Sequence, residues 1–150
     1  MDTVRFKEIL AFAIEKEQEA VDAYTAASEI VRRSNVREML LDLARQEEGH
    51  KRKLQGIEPD KVDRAHIERV PDLRIADYAD NVEITRDTNY QDVLIVAMKR
   101  EEKAHNLYTA LASNTSDEGL RKLFEVLAQE EAHHKLALEK EYDDHVLSSN

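Results

Sequence analysis

The sequence predicts an all-α protein, a four-helix bundle made of two antiparallel helical hairpins joined by a long crossover. Its composition is rich in helix formers and has only 3 Gly and 2 Pro among 150 residues. Four segments carry apolar residues at three- and four-residue steps, which is the period of a helix with one buried face. The link within each pair of segments is short, whereas the link between the two pairs is long, and this difference predicts the crossover.

The periodic segments predict helices at about 4–32, 36–56, 90–112 and 117–146 within a single domain, 1–150. The crossover, about 57–89, contains Pro59 and Pro71, and a short helical piece is predicted inside it at Leu73–Asp80. Helix starts were assigned from residues that can cap a helix, in most cases with Glu or Gln three positions later. The predicted caps are Thr3, Asn35, Thr88 and Thr115.

Charge and cysteine content exclude several classes of function. A formal net charge of −10 makes nucleic acid and an anionic membrane surface poor partners. The sequence contains no Cys, which excludes disulfides, iron–sulfur centres and a rubredoxin-type iron site within these residues. Because no apolar signal core or membrane-length apolar run is present, we expect a cytoplasmic protein.

The two halves of the chain repeat each other at a single offset of 84 residues. The identical pairs fall largely on the apolar seams of the helices, as two copies of one helical hairpin would require. The repeat also decides a register in the fourth helix, where Glu130/His133 and Glu131/His134 both fit a Glu-x-x-His motif. Only Glu131/His134 matches Glu47/His50, so His133, whose partner is Gly49, is expected to point outward.

The seams also carry acids and imidazoles that predict a site for two metal ions. Residues three apart on a helix share a face, so each Glu-x-x-His presents a carboxylate and an imidazole to one point. Four buried carboxylates in one layer would repel each other and lose their hydration, whereas two divalent cations balance their charge. Oxygen and nitrogen ligands without sulfur suit Fe or Mn, and Zn is possible. The predicted ligands are Glu17, Glu47, His50, Glu101, Glu131 and His134.

These residues form motifs that resemble the rubrerythrin branch of the ferritin-like superfamily: Glu17-x2-Ala20-x3-Tyr24, Glu47-x2-His50, Glu101-x2-Ala104-x3-Tyr108 and Glu131-x2-His134. The resemblance implies a ferritin-like four-helix bundle with a carboxylate-bridged centre of two Fe ions. It also implies that Tyr24 and Tyr108 hydrogen-bond to ligand carboxylates, although both could be plain core aromatics. Two departures matter. These residues include no rubredoxin domain, and Ala104 stands where peroxide-reducing relatives have a further Glu ligand.

The other polar residues are not among the predicted metal ligands. His105 is expected on a helix face, with an approach to the site as the alternative, and His66 and His145 are expected to have no chemical role. For Asp22 and Asn106, a surface position and the orientation of a ligand histidine both stay open. The remaining acids beside the motifs are expected at the surface: Glu15, Glu19, Glu48, Glu102 and Glu130.

The predicted function is a di-iron carboxylate oxidoreductase that reacts with hydrogen peroxide or dioxygen and uses an external electron donor. The metal pair itself is the reactive group, and no separate catalytic residue is assigned. The alternatives are a ferroxidase or iron-handling protein, a manganese catalase-like activity, and a non-enzymatic helical interaction module stabilised by metal. A homodimer is expected because Phe6, Val21 and Phe124 are predicted to give the bundle helices extra apolar faces.

Overall fold

The computed structural model describes residues 3–64, 66–68 and 88–147, with side chains for 6–62 and 88–145. Four long helices dominate, as predicted. The elements are β1 (Thr3–Arg5), α1 (Phe6–Ile30), α2 (Ser34–Gln55), α3 (Pro59–Arg64), β2 (His66–Glu68), α4 (Tyr90–Asn114) and α5 (Glu118–Tyr142), followed by a π-helical turn at Asp143–Leu147. Most of the predicted crossover, including the helical piece expected at Leu73–Asp80, lies outside the described residues.

Buried apolar side chains form two clusters. The first apolar cluster consists of Phe6, Ile9, Leu10, Ala13, Leu54, Leu107, Tyr108, Leu111, Ala112, Leu120, Phe124, Leu127 and Ala128. The second apolar cluster consists of Tyr24, Ala27, Val31, Val36, Leu40, Leu43, Ala44, Val93, Leu94, Ala97 and Leu138. Each long helix contributes to both clusters, so the clusters occupy opposite ends of one bundle.

The order of these contacts along the chain gives the direction of each helix. α1 and α5 run from the first apolar cluster to the second, and α2 and α4 run the other way. Each hairpin is therefore antiparallel, as the sequence predicts. Because α2 ends at the first cluster and α4 begins at the second, the link between the hairpins starts and finishes at opposite ends of the bundle. The predicted metal ligands lie between the two clusters, in the middle of all four helices.

The N-terminus departs from the prediction that a helix begins at residue 4 with Thr3 as its cap. Thr3–Arg5 forms β1, which pairs antiparallel with β2 in the register Thr3↔Glu68, Val4↔Ile67 and Arg5↔His66. Helix α1 therefore begins at Phe6. The partner strand is distant in the sequence, and a three-residue strand has no detectable period, so a search for helical periodicity could not find this pair.

The other predicted caps were wrong by one or two residues. Asn89 caps α4 by accepting from the Asp92 amide at 2.8 Å, and Asp117 caps α5 by accepting from the Leu120 amide at 2.9 Å. These side chains displace the neighbouring threonines from the capping position because Asn and Asp are at least as good as Thr there. Helix α2 begins at Ser34, which places Asn35 inside the helix, and its N-cap residue makes no side-chain capping hydrogen bond.

Helix α3 was not predicted, because its six residues are too few to show a period. Pro59 occupies the first helical position, where its fixed φ angle is favourable and its missing amide hydrogen is not needed. The amides of Lys61 and Val62 donate to the carbonyl of Glu58 at 2.9 and 3.1 Å. Val62 packs against the first apolar cluster and thereby holds the start of the crossover on the bundle.

Two residues that supported the homodimer prediction lie in the core of the single chain. Phe6 and Phe124 are each 1% exposed, and their ring centroids are 6.2 Å apart. The interpretation of these two side chains as extra apolar faces was therefore wrong, and the homodimer stays a prediction. Within the described part of the chain, none of the helices combines the length and apolarity that a membrane span requires.

Candidate metal centre

All six predicted ligands meet in one layer between the two apolar clusters. Each is at most 5% exposed: Glu17 from α1, Glu47 and His50 from α2, Glu101 from α4, and Glu131 and His134 from α5. The helical period explains the convergence, since each ligand occupies a seam position that would otherwise hold an apolar residue. The register chosen from the repeat agrees with this burial, because His133 is exposed while Glu131 and His134 are buried.

The ligand atoms form two overlapping groups, and within each group they lie within 4.8 Å of one another. We call the group of Glu17 and His50 the first position and the group of Glu101 and His134 the second position. Both groups include Glu47 and Glu131. Two ions at these positions would share those two carboxylates and would each keep one glutamate and one histidine of their own.

The two imidazoles present the same nitrogen to the centre. His50 Nδ1 lies 2.7 Å from a Glu131 oxygen and 3.6 Å from a Glu47 oxygen. His134 Nδ1 lies 3.0 Å from a Glu47 oxygen and 3.3 Å from a Glu101 oxygen. The rings stack with an interplanar angle of 11° and centroids 5.9 Å apart. Nδ1 is therefore the nitrogen available to an ion, and Nε2 points away from the centre.

Each Nε2 meets a side chain of the other hairpin, and the sequence interpretation missed both partners. His50 Nε2 contacts Glu130, which was predicted to be a plain surface residue. His134 Nε2 lies 2.5 Å from Gln46 Oε1. The Glu130 side chain is 38% exposed, as predicted for a surface residue, but it also reaches from α5 to the histidine of α2, and this contact was not predicted. A usable signal existed, since Gln46 and Glu130 are partners in the repeat and each lies one helical turn before a ligand histidine.

Two buried tyrosines hold carboxylates across the repeat. Tyr24 donates its hydroxyl hydrogen to Glu101 at 2.5 Å, and Tyr108 donates to Glu17. Burial is the main cause that raises the pKa of both hydroxyls well above the usual value, and the nearby carboxylate charges add to it. Both tyrosines therefore remain protonated donors. Each ties a helix of one hairpin to a predicted ligand of the other.

The carboxylate layer takes up protons when no cation neutralises it. Burial, with the charge of neighbouring carboxylates added, raises the pKa of Glu17 and Glu131 well above the usual value. Burial alone would lower the pKa of the histidines, but the neighbouring carboxylates of Glu17 and Glu47 raise that of His50 to about 10. Contacts with Glu101 and Glu47 raise the pKa of His134 to about 9. The layer thus has a strong demand for positive charge, which cations can satisfy in place of protons.

Buried atoms without hydrogen bonds test whether the residues fit a metal. Among the described side chains, five buried nitrogen or oxygen atoms have no hydrogen bond of good geometry, although some have polar neighbours within 3 Å, and four of the five belong to this layer. They are Glu17 Oε2, Glu47 Oε1, His50 Nδ1 and Glu131 Oε1. Unpartnered buried polar atoms are rare, because each costs free energy comparable to a lost hydrogen bond. Their convergence on shared points is the arrangement that metal ligands require, so the residues fit a pair of cations.

Comparison with known proteins agrees with this geometry. The sequence matches the profile of the rubrerythrin family over residues 8–144. The chain belongs to the rubrerythrin family. No curated protein matches it at a significant level. Two solved structures share its fold. A candidate ferritin-like diiron-carboxylate protein from Thermotoga maritima has a TM-score of 0.77 and 22% identity, over 97% of this chain and 98% of that one. A hypothetical protein from Pyrococcus furiosus has a TM-score of 0.69 and 23% identity, over 92% and 88%.

Family membership and the buried carboxylate–histidine layer together indicate a diiron-type site in this rubrerythrin family member. The bundle is ferritin-like, as the sequence predicted. These 150 residues contain no Cys, so they hold no rubredoxin-type iron site.

A cavity of about 60 Å³ borders the carboxylate layer on the side of α1 and α4. Glu17, Glu47, Glu101 and Glu131 line it together with Ala20 and Ala104, which are partners in the repeat. Lys16, Arg100 and Lys103 also line it and are only partly buried, so they mark its outer side. The small side chains of the two alanines leave this space beside the layer. It has room for a few water-sized molecules.

The remaining polar candidates lie away from the centre. His105 Nδ1 lies 2.7 Å from the Ala128 carbonyl, consistent with the helix-face position predicted for it. Asp22 and Asn106 are exposed, and the Nε2 atoms of the ligand histidines meet other side chains, so the surface alternative is correct for both. His145 lies in the π-helical turn after α5, and its Nε2 is 3.5 Å from Glu141. The side chain of His66 lies outside the described residues.

Proposed function

We propose that this protein is a di-iron oxidoreductase that reduces hydrogen peroxide or dioxygen with electrons from an external donor. The observation that carries the proposal is the layer of four carboxylates and two imidazoles, all at most 5% exposed, with four atoms that lack a hydrogen bond of good geometry converging on two shared points. Burying such a layer without cations costs several kcal/mol per charged group. Bound as a pair, two ferrous ions would supply the two electrons that, with two protons, reduce hydrogen peroxide to two water molecules.

The protein's own residues provide position and shielding. Glu47 and Glu131 belong to both ligand groups and hold the two positions together. Tyr24 and Tyr108 restrain Glu101 and Glu17 by hydrogen bonds that reach across the bundle. The apolar clusters on both sides of the layer exclude bulk water along the bundle axis, which strengthens the electrostatic interactions within it.

The cavity beside Ala20 and Ala104 is the proposed approach for the oxidant. It adjoins all four carboxylates, and its size suits a molecule of two heavy atoms better than an organic substrate. Lys16, Arg100 and Lys103 surround its outer side, so they offset the negative charge of the layer along the approach. Since the chain has no Cys to hold an electron-transfer iron site, the electrons are expected from another protein or a small reductant.

Anaerobic loading with two equivalents of Fe(II), followed by one equivalent of hydrogen peroxide or dioxygen in a stopped-flow experiment, tests this function. We expect oxidation of both irons within one fast phase, at one peroxide per two irons, and re-reduction by an added donor. A variant with His50→Ala and His134→Ala is the control and should lose the fast phase. Bound iron that neither oxidant oxidises rapidly would contradict the proposal.

The same experiment separates the alternative functions. A ferroxidase would consume many Fe(II) equivalents per chain and form a mineral, whereas the proposed enzyme stops at two and awaits its donor. A purely structural site would bind metal and raise the melting temperature without any oxidation phase. Light scattering on the same samples tests the predicted homodimer, and a large shell in its place would favour iron storage.

A further inference from the structure

The two ligand histidines have outer partners of different charge. His50 Nε2 contacts the carboxylate of Glu130, whereas His134 Nε2 lies 2.5 Å from the amide oxygen of Gln46. Gln46 and Glu130 are partners in the repeat, so the same structural place holds a charged acceptor in one hairpin and a neutral one in the other. The predicted ligands themselves are identical between the halves, whereas this pair differs and is in direct contact with the ligand histidines.

The surrounding contacts fix the roles of both partners. Gln46 Nε2 donates to Asp42 at 2.7 Å, so its carbonyl oxygen is the atom left to accept from His134. Glu130 has a further neighbour in Lys53, whose Nζ lies 3.7 Å from its second oxygen. Lys53 is 49% exposed, so solvent screens this ion pair and leaves Glu130 an effective anion toward His50. Because each Nδ1 faces the centre, each Nε2 carries the hydrogen that is donated outward.

The difference in charge has a direct consequence for metal binding. A hydrogen bond to a carboxylate is roughly twice as strong as one to a neutral amide. Such a bond orients the imidazole and increases the electron density at its other nitrogen, which makes that nitrogen a stronger metal ligand. His50 is therefore the better donor of the two, although both imidazoles are buried in the same layer.

We propose that Glu130 and Gln46 are positioning residues that make the two metal positions unequal, so that the first position, served by His50, binds its ion more tightly than the second. The proposal rests on the metal-binding part of the function proposed above. It assigns to this chain an order of filling, with the ion at the second position bound more weakly and exchanged more readily.

The test uses Co(II) as the probe and locates the ion directly. Crystals of the full chain grown with one equivalent of Co(II) are measured by anomalous scattering, and affinity is measured by competition with a chelator. We expect the first position to hold most of the cobalt, with a difference in affinity of about 10–100-fold, the usual effect of an outer partner. Occupancy is the deciding measurement, because repulsion between two ions produces two binding steps even in a symmetric site.

Three variants complete the design. Glu130→Gln should lower the Co(II) affinity of the first position, and Gln46→Glu should raise that of the second. In each variant one equivalent of Co(II) should therefore be distributed more evenly between the two positions. The double variant Gln46→Glu/Glu130→Gln exchanges the partners and should move the first ion to the second position. Glu125→Gln is the matched control, since it removes an exposed carboxylate from the same helix without touching a histidine, and it should leave the occupancies unchanged.

Two results would overturn the inference. Equal occupancy in the unmodified protein would show that the outer partners do not rank the positions, and an exchange variant that still fills the first position would assign the ranking to other residues. In both cases the proposed function survives. A protein that binds no Co(II), Mn(II) or Fe(II) would instead remove the proposed function, and this inference with it.

Discussion

The two hairpins are alike at the metal layer and differ just outside it. Glu17, Tyr24, Glu47 and His50 of the first hairpin have identical partners in the second, and the tyrosines even make mirrored hydrogen bonds. Outside the ligands, Gln46 in the first hairpin corresponds to Glu130 in the second, and at the helix starts Arg33 corresponds to Asp117. The comparison teaches that residues around a charged centre are constrained by what the centre binds, whereas their neighbours can differ and can adjust each half separately.

The largest expected effect comes from removing a carboxylate that both positions share. Glu131→Gln should lower the affinity for both ions by more than about 100-fold, which is more than the loss of a residue that only hydrogen-bonds to a ligand would cause. Glu17→Gln should lower mainly the affinity of the first position. Metal analysis after dialysis should then find almost no metal in the first variant and partial occupancy in the second. Equal loss in both variants would contradict the division into shared and separate ligands.

The same substitution should have the opposite effect on the metal-free protein. Burial and the charge of Glu101 raise the pKa of Glu131, so its neutral form is favoured there and a glutamine resembles that form. We expect Glu131→Gln to raise the melting temperature of the metal-free protein while it removes the stabilisation by metal. Loss of stability in both states would indicate a packing defect in place of relieved repulsion.

The second largest effect should come from filling the cavity beside the layer. Ala104→Leu places a larger side chain between α1 and α4 without changing any predicted ligand. We expect metal stoichiometry to be retained and oxidation by peroxide to slow by about tenfold, which corresponds to about 1.4 kcal/mol of barrier. Stopped-flow rates of the iron-loaded variant measure this effect, and Ala26→Leu, at an exposed position of α1, is the control. An unchanged rate would place the approach of the oxidant elsewhere.

A smaller effect is expected in the dependence of stability on pH. In the metal-free fold the pKa of His134 is raised to about 9 and that of His50 to about 10, against an unfolded value of about 6.5. Groups with a raised pKa stabilise the fold fully below the unfolded value and lose this contribution as the pH rises through the folded value. The melting temperature of the metal-free protein should therefore fall between about pH 6.5 and 10.

Metal reverses this dependence and provides the control. Since ions bind the deprotonated ligands, the metal-loaded protein should keep or gain stability over the same range of pH. Replacing His134 by glutamine should reduce the fall between about pH 6.5 and 9, and replacing His50 should reduce it over the whole range from about pH 6.5 to 10. Thermal melts at several pH values, with and without added Mn(II), measure all of these. A metal-free protein whose stability is flat across the range would contradict the protonated layer.

The metal centre could be predicted from the sequence, whereas several contacts around it could not. The ligand layer could be predicted because Glu and His on an apolar seam are costly to bury without a cation, and because the repeat contains each of these residues twice. The antiparallel direction of the hairpins could be predicted from the short links within each pair of helices. The contact made by Glu130 was missed because an acid next to another acid on a charged helix resembles a solvated face. Its contact with His50 depends on how α5 lies against α2, which no property of a single helix reveals.

The short β-strand pair and the N-cap residues of the helices were also missed. The pairing of β1 with β2 joins residues far apart in the sequence, and only the tertiary fold brings them together. The caps of α4 and α5 were displaced by one or two positions because neighbouring side chains of similar capping propensity compete for the same amides. Asn89 and Asp117 take the places expected for Thr88 and Thr115, since the helix begins where the local geometry aligns a side-chain oxygen with the amide three residues on.

The smallest predicted effect concerns the helix starts, where the hairpins differ most plainly. Asp117 caps α5, whereas its repeat partner Arg33 leaves α2 without a side-chain cap and places its guanidinium 5.3 Å from the ring centroid of Tyr90. Asp117→Ala should lower the free energy of unfolding by about 1 kcal/mol. Arg33→Asp should add a similar cap but lose a cation–π contact of about 0.5–1 kcal/mol, so we expect little net change. Urea denaturation of the metal-free variants measures both, and a large gain from Arg33→Asp would show that the guanidinium contributes nothing at this helix start.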